Sequence, residues 1–196
     1  MRVSKLSKTT LVAVVGVVAG ISGGLCSRSA VAGPPKGGDA KPPIVLPKDP
    51  KALVLTFDPG AGGFVRKGPA PYLKIQADGA MTVTSLFDGS KKESKLTAQQ
   101  LQELLRFVIQ ENDFFNVTAA KMDAAIKDAA GKGPFIAVGG AGTSVIRVQA
   151  NGKKHEVSFR GASAYLRAYP KARPLAQFAA VEKRLSELAG KVAKGK

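Results

Sequence analysis

The sequence contains no tryptophan, one cysteine and one histidine. A single cysteine cannot form an intrachain disulfide, so a disulfide-stabilised scaffold is excluded. A zinc site built from several Cys and His ligands is also excluded, because such sites need three or four of these donors. We therefore predict that the protein holds neither a metal ion nor a cofactor.

Acidic residues are scarce as well. The 196 residues include 14 Asp+Glu against 30 Lys+Arg, a formal net charge of +16. The hydrophobic fraction of 44% is sufficient for a buried core, which excludes a wholly disordered chain. A surface with this excess of cations attracts polyanions and anionic lipid headgroups.

The N-terminus has the pattern of a signal peptide. Three cations and no acid precede an apolar run over residues 11–25, and Ala30-Val31-Ala32 supplies the small residues of a cleavage site. We predict a signal peptide over residues 1–32 and export to the periplasm or the extracellular space. In the alternative interpretation, residues 9–25 are retained as an anchor. Cleavage after Ala32 would leave a net charge of +12 and no cysteine.

The remaining chain divides by composition. Residues 33–51 hold six of the twelve prolines and predict an extended linker. Residues 52–190 alternate between strand and helix patterns and predict one domain, and residues 191–196 form a basic tail. We expect no transmembrane span in the mature chain.

Two hairpins are expected. A three-residue loop over residues 77–79 would pair Leu73 with Val83 and Ile75 with Met81. Asn151-Gly152 predicts a two-residue turn that pairs Arg147 with Glu156 on one face. The opposite face of this second hairpin would then be apolar, since Ile146 faces Val157 there.

Capping signals predict the helices. Thr97 and Gln100 form a capping box for a helix that we expect to reach about Asp113, and Thr118 begins a second helix that ends before Gly131. A short helix over residues 162–169 and a final helix from Pro174 follow. Strands grouped into hairpins need no crossover helices, so the predicted fold is α+β, with a largely antiparallel sheet and helices on one face.

Few polar residues are left for catalysis. Most carboxylates occupy turns or face a cation at helical or cross-strand spacing, and those without an evident role, Glu182 among them, are scattered. His155 is the only ready proton carrier near neutral pH, but the sequence has no G-x-S-x-G motif. We therefore predict no catalytic residue and interpret His155 as partly buried at the end of its hairpin. The alternative is a hydrolase in which His155 activates Ser144, Ser158 or Ser163.

Glycine clusters at residues 60–63 and 139–142 do not match a phosphate-binding loop, which requires G-x-x-x-x-G-K-[ST]. We interpret them as turns or strand kinks. A third possibility is an inhibitor-like module that inserts the loop at residues 60–63 into the cleft of a partner.

Positive charge is concentrated near the C-terminus. Residues 145–196 contain twelve cations and three carboxylates, a net charge of +9. Such a surface predicts binding to an envelope polyanion or an exported protein rather than to nucleic acid, because aromatic residues are not interleaved with the basic ones. The candidate binding residues are Arg147, Lys153, Lys154, Arg160, Arg167, Lys171 and Arg173.

Three segments carry a resemblance to known proteins: GGFVRKGPAPYLKIQADG, LTAQQLQELLRFVIQENDFF and SVIRVQANGKKHEVSFRG. Between about Leu53 and Leu188 the chain resembles a group of exported, planctomycete-like bacterial proteins of unknown function. The resemblance implies a small secreted α+β domain and supplies no catalytic motif. We therefore expect an exported binding domain without enzymatic activity.

Overall fold

The computed structural model describes residues 42–60, 71–131 and 138–195. Within them, six strands form one antiparallel sheet in the order β4-β3-β2-β1-β5-β6, which together with four helices confirms the predicted α+β class. The strands are β1 Leu53–Asp58, β2 Leu73–Gln76, β3 Ala80–Thr84, β4 Lys91–Lys95, β5 Thr143–Ala150 and β6 Lys153–Arg160. The helices are α1 Ala98–Arg106, α2 Ala119–Ala130, α3 Ala162–Ala168 and α4 Arg173–Ala193.

Some sequence predictions fall on residues that are not described. The predicted signal peptide, most of the predicted linker and three of the four residues at 60–63 are among these. The apolar residues 135–138 also predict a strand; residues 135–137 lie outside the described ranges, and Val138 is not in a strand. No helix in the described ranges is long and apolar enough to cross a bilayer.

Both predicted hairpin registers are confirmed. Leu73 pairs with Val83 and Ile75 with Met81, and Gly79 has the left-handed φ of 84° that the three-residue loop requires. In the second hairpin Arg147 pairs with Glu156 as expected. Apolar pairing across the first turn and the two-residue Asn151-Gly152 turn of the second hairpin are thus sufficient to predict the two registers.

Strand β4 was not predicted. All five of its residues, Lys91 to Lys95, are exposed, and none is apolar, so the sequence offers no alternation to detect. The strand exists because its backbone pairs with β3 along its whole length. An edge strand rich in lysine also discourages further strands from adding to the sheet.

The helix caps are confirmed, whereas the ends of two helices differ from prediction. Thr97 and Gln100 form the capping box of α1, and Thr118 caps α2. Helix α1 ends at Arg106 and continues as a π-helical turn over Phe107–Glu111. Helix α4 extends into the predicted basic tail as far as Ala193, because Val192 is only 7% exposed and packs with the core.

One face of the sheet, the inner face, carries the core. Leu55, Phe57 and Ile75 are fully or almost fully buried on it, and Ile146 and Val157 continue the same layer on β5 and β6. Leu101, Leu104, Leu105 and Phe178 from the helices belong to the same buried cluster. The helices therefore cover one face only, as the hairpin pattern predicted.

The end of the predicted linker is packed on the domain. Ile44 is 4% exposed and belongs to the core. The side-chain amide of Gln102 accepts from the Ile44 amide at 3.0 Å and donates to the Ile44 carbonyl at 2.9 Å. Val45 exchanges two hydrogen bonds with Asn151 in the β5–β6 turn. Residues of the predicted linker from Ile44 onward thus pack on the domain before its predicted start at residue 52, because one apolar side chain of the segment reaches the core.

We expect Ile44→Ala to lower the free energy of unfolding by about 2–4 kcal/mol, because it removes a buried side chain and leaves a cavity. Val45→Ala is the matched control, since Val45 is 64% exposed and its hydrogen bonds involve only the backbone. Its effect should stay within about 0.5 kcal/mol. Urea unfolding measures both, and equal effects would show that Ile44 does not contribute through burial.

Candidate functional site

The face of the sheet opposite the core, here called the outer face, is polar. Because paired residues point to the same side, the registers define one row of side chains across all six strands. From β4 to β6 this row consists of Glu93, Thr82, Lys74, Thr56, Arg147 and Glu156. No aromatic side chain lies at an outer-face position of the six strands.

Cations outnumber carboxylates on the outer face by six to three. Neighbouring strands are about 4.8 Å apart, so the charges extend over about 24 Å from β4 to β6. The cations are Lys74, Lys91, Lys95, Arg147, Lys154 and Arg160, and the carboxylates are Asp58, Glu93 and Glu156.

A depression of about 320 Å³ lies on this face over strands β1, β5 and β6. Leu53 supplies an apolar side chain that is 40% exposed. Arg147, Gln149 and Lys154 add polar groups to the lining, together with Glu156. The depression therefore offers a small apolar surface beside hydrogen-bond donors and positive charge.

Thr56 also lines this depression and has an unusual environment. Its side chain is 6% exposed, and its hydroxyl oxygen has no hydrogen-bond partner among the described residues. A buried hydroxyl without a partner costs about 1–3 kcal/mol. Thr56 sits between Lys74 on β2 and Arg147 on β5. No described residue thus uses this hydroxyl as a hydrogen-bond partner.

Some cations of the outer face already have partners. Arg147 forms an ion pair with Glu156, Lys95 is 3.9 Å from Asp78, and Arg160 donates to the carbonyl of Ala141 at 3.0 Å. Lys74 and Lys154 form no ion pair with the described residues. Of the outer-face cations on β2, β5 and β6, these two lysines are therefore the most available to an external anion.

The structure divides the seven predicted binding residues between two regions. Arg147, Lys154 and Arg160 lie on the outer face, whereas Lys153 follows the turn and shares the inner-face register with Ala150. The other three residues lie on or between the last two helices: Arg167 on α3, Lys171 in the connection and Arg173 at the start of α4. Lys74, which sequence analysis did not select, joins the first group because β2 is two strands away from β5 in the sheet.

His155 is held by the hydrophobic core and a backbone carbonyl. Its Nε2 lies 2.7 Å from the carbonyl oxygen of Val117, and its ring makes edge contacts with Phe114 and Phe115. The ion pairs between described residues, Lys95–Asp78 and Arg147–Glu156, do not involve it. The imidazole is half-buried at the end of the hairpin.

A serine and a carboxylate do meet, but away from the histidine. The hydroxyl of the buried Ser144 contacts Glu182 on α4, and Ser163 on α3 lies 3.5 Å from the other carboxylate oxygen. Ser144 pairs with Phe159, four residues from His155, which corresponds to about 13 Å along the strand. His155 is therefore not brought together with Ser144 and Glu182.

Glu182 had no evident role in the sequence, and the structure supplies one. Its carboxylate connects α4 to β5 and α3 through the two serines. The contact with Ser144 spans 38 residues, so only the tertiary fold could show it. A hydrogen bond to a carboxylate is about twice as strong as one between neutral groups, which suits a role in fixing α4 on the sheet.

No family model, curated protein or solved structure matches the chain. No three of the described Asp, Glu and His side chains are grouped closely enough to hold a metal ion. The outer face and the loops of the chain are therefore the features that bear on its function.

We expect Glu182→Ala to lower the free energy of unfolding by about 1–3 kcal/mol, because it leaves the buried Ser144 hydroxyl without its carboxylate partner. The double variant Ser144→Ala/Glu182→Ala should lose less than the sum of the two single variants, since both groups of the bond are then absent. Urea unfolding of the unaltered chain, the two single variants and the double variant measures the coupling free energy between the two side chains. Strictly additive losses would show that the contact does not stabilise the fold.

Proposed function

We propose that this protein is an exported binding module that takes an anionic envelope polymer on the outer face of its sheet. The observation that carries the proposal is the outer face itself, which none of the described helices covers. It has six cations, four of them without ion-pair partners in the described part of the chain, beside a depression lined in part by Thr56. Export is part of the proposal and rests on the signal-peptide pattern of residues 1–32.

The spacing of the charges supports a polymer as the ligand. The cations spread over about 24 Å, whereas a single small anion would be held by donors converging on one point. Thr82, Gln149 and Ser158 add hydroxyl and amide groups between the charges. These groups can hydrogen-bond to the sugar hydroxyls of a charged polysaccharide.

Single-stranded nucleic acid is a poorer match for this face. Proteins that bind single strands stack the bases on aromatic side chains, and the outer-face positions of the six strands hold none. Catalysis is likewise not part of the proposal, because His155 contacts a backbone carbonyl and two phenylalanine rings instead of a serine.

The double variant Lys74→Glu/Lys154→Glu tests the outer face. We expect the full chain to be retained on heparin-agarose and to elute with salt, since screening weakens exposed charge interactions. The variant should elute at clearly lower salt, because it reverses two outer-face cations that form no ion pair with the described residues. Elution from immobilised poly-glutamate, compared in parallel, shows whether an acidic protein is preferred to a polysaccharide.

The matched control is Arg167→Glu/Lys171→Glu, which changes the net charge by the same amount but lies on α3 and the following connection. Its elution should change much less. Equal shifts in the two double variants would mean that net charge alone drives retention. A larger shift in the control would show that the ligand binds at Arg167, Lys171 and Arg173 instead of on the outer face. Tighter binding to poly-glutamate than to heparin would favour a protein partner.

A further inference from the structure

The loop between β3 and β4 presents a large apolar side chain to solvent. Phe87 is 77% exposed, more than any other large hydrophobic residue in the described part of the chain. It lies at the tip of the hairpin, on the six-residue connection 85–90. Isolated exposed hydrophobic residues are common on protein surfaces, so the surroundings of Phe87 decide whether it has a role.

The loop is fixed by its own hydrogen bonds. The Ser85 amide donates to the Ser90 carbonyl at 2.7 Å, and the Gly89 amide donates to the Ser85 carbonyl at 3.2 Å. Asp88 accepts from both the amide and the hydroxyl of Ser90, at 3.0 and 2.8 Å. Hydrogen bonding to the Ser85 side chain, and then to Ser90, lowers the pKa of Asp88 to about 2. Phe87 is therefore held outward by a rigid turn and loses little conformational entropy on binding.

Exposed lysines are close to the phenylalanine. Lys91 and Lys92 begin the strand that follows the loop, and both are exposed. Lys92 and the C-terminal residue Ala193 of α4 line a groove of about 310 Å³ together with Leu86 and Phe87. Lys194, which is exposed, follows Ala193 directly.

Carboxylates near this tip are fewer than the cations. Asp88 lies in the loop itself, and Glu93 points to the outer face two residues beyond Lys91. Among the described residues of the tip, three exposed lysines thus accompany the one carboxylate of the loop. The local charge is positive around an apolar centre that consists of Phe87 and the half-buried Leu86.

We infer that this tip, defined by Leu86, Phe87, Lys91, Lys92 and Lys194, contacts the surface of an anionic phospholipid bilayer. Phe87 would enter the boundary between headgroups and acyl chains, while the lysines contact lipid phosphates. The apolar area is too small for a protein interface, which buries about 800 Å² on each partner. A bilayer needs no such area, because it accepts a single side chain at any position along its plane.

The apolar centre of this contact is separate from the depression on the outer face, while Lys91 belongs to both surfaces. Phe87 belongs to a loop at the end of the β3–β4 hairpin, whereas the depression lies over β1, β5 and β6. Each lysine near an anionic lipid surface raises the partitioning of the protein onto that surface about fivefold. The tip would therefore bind reversibly and would hold the domain at the membrane only in the presence of anionic lipid.

The absence of tryptophan from the sequence allows a direct test. In the full-length Phe87→Trp variant the indole fluorescence reports only on the tip. We expect vesicles of phosphatidylcholine and phosphatidylglycerol to shift the emission to shorter wavelength, and brominated lipid to quench it. Vesicles of phosphatidylcholine alone should have much less effect. This readout does not depend on whether residues 1–32 also attach the chain to the vesicle.

Two controls make the test specific. The Val45→Trp variant places an indole at another exposed apolar site and should show neither shift nor quenching. Adding Lys91→Ala/Lys92→Ala to Phe87→Trp should raise the half-maximal lipid concentration about 30-fold. The pair Lys121→Ala/Lys127→Ala should change it little, because α2 contacts β6 at the opposite edge of the sheet.

The inference is overturned if the indole at position 87 does not respond to anionic vesicles. It is also overturned if both indoles respond equally, or if the two lysine pairs have equal effects. Heparin retention of Phe87→Ala should match that of the unaltered chain, so a failure of the membrane contact and a failure of the polymer-binding proposal can be told apart.

Discussion

The structure depends on the contact between one face of a six-stranded antiparallel sheet and the helices packed on it. Each strand of the central four places alternate side chains on that face, and residues such as Phe57 and Ile146 are fully buried there. This burial is the main source of stability in a domain with few ion pairs between its described residues. Because the helices occupy one face, the other is left for polar side chains.

The same constraint accounts for the position of the candidate sites. Alternation in β5 and β6 that buries Ile146 and Val157 necessarily turns Arg147, Lys154 and Glu156 outward. Polar groups on the inner side must be satisfied within the core, as the contact of Ser144 with Glu182 illustrates. The alternation of the strands thus places six of the cations of the chain on the outer face, where a ligand can reach them.

The two proposed binding surfaces hold their binding groups in place in different ways. On the outer face, strand pairing fixes the spacing of the cations, and the ligand would adapt to that spacing. At the β3–β4 tip, the hydrogen bonds of Ser85, Asp88 and Ser90 hold one phenylalanine in water. In both places the groups offered to a partner are held by backbone geometry, so binding needs little ordering of the protein.

Local sequence determined the hairpin registers, the helix caps and the α+β class, because these depend on turn residues and on the periodicity of neighbouring side chains. The tertiary structure alone decided the rest. Strand β4 has no apolar pattern and forms only because β3 offers it a backbone partner. Ile44 becomes part of the core through Gln102, and Lys74 joins Arg147 through β1. Such pairings join residues distant in sequence, and no local periodicity encodes them.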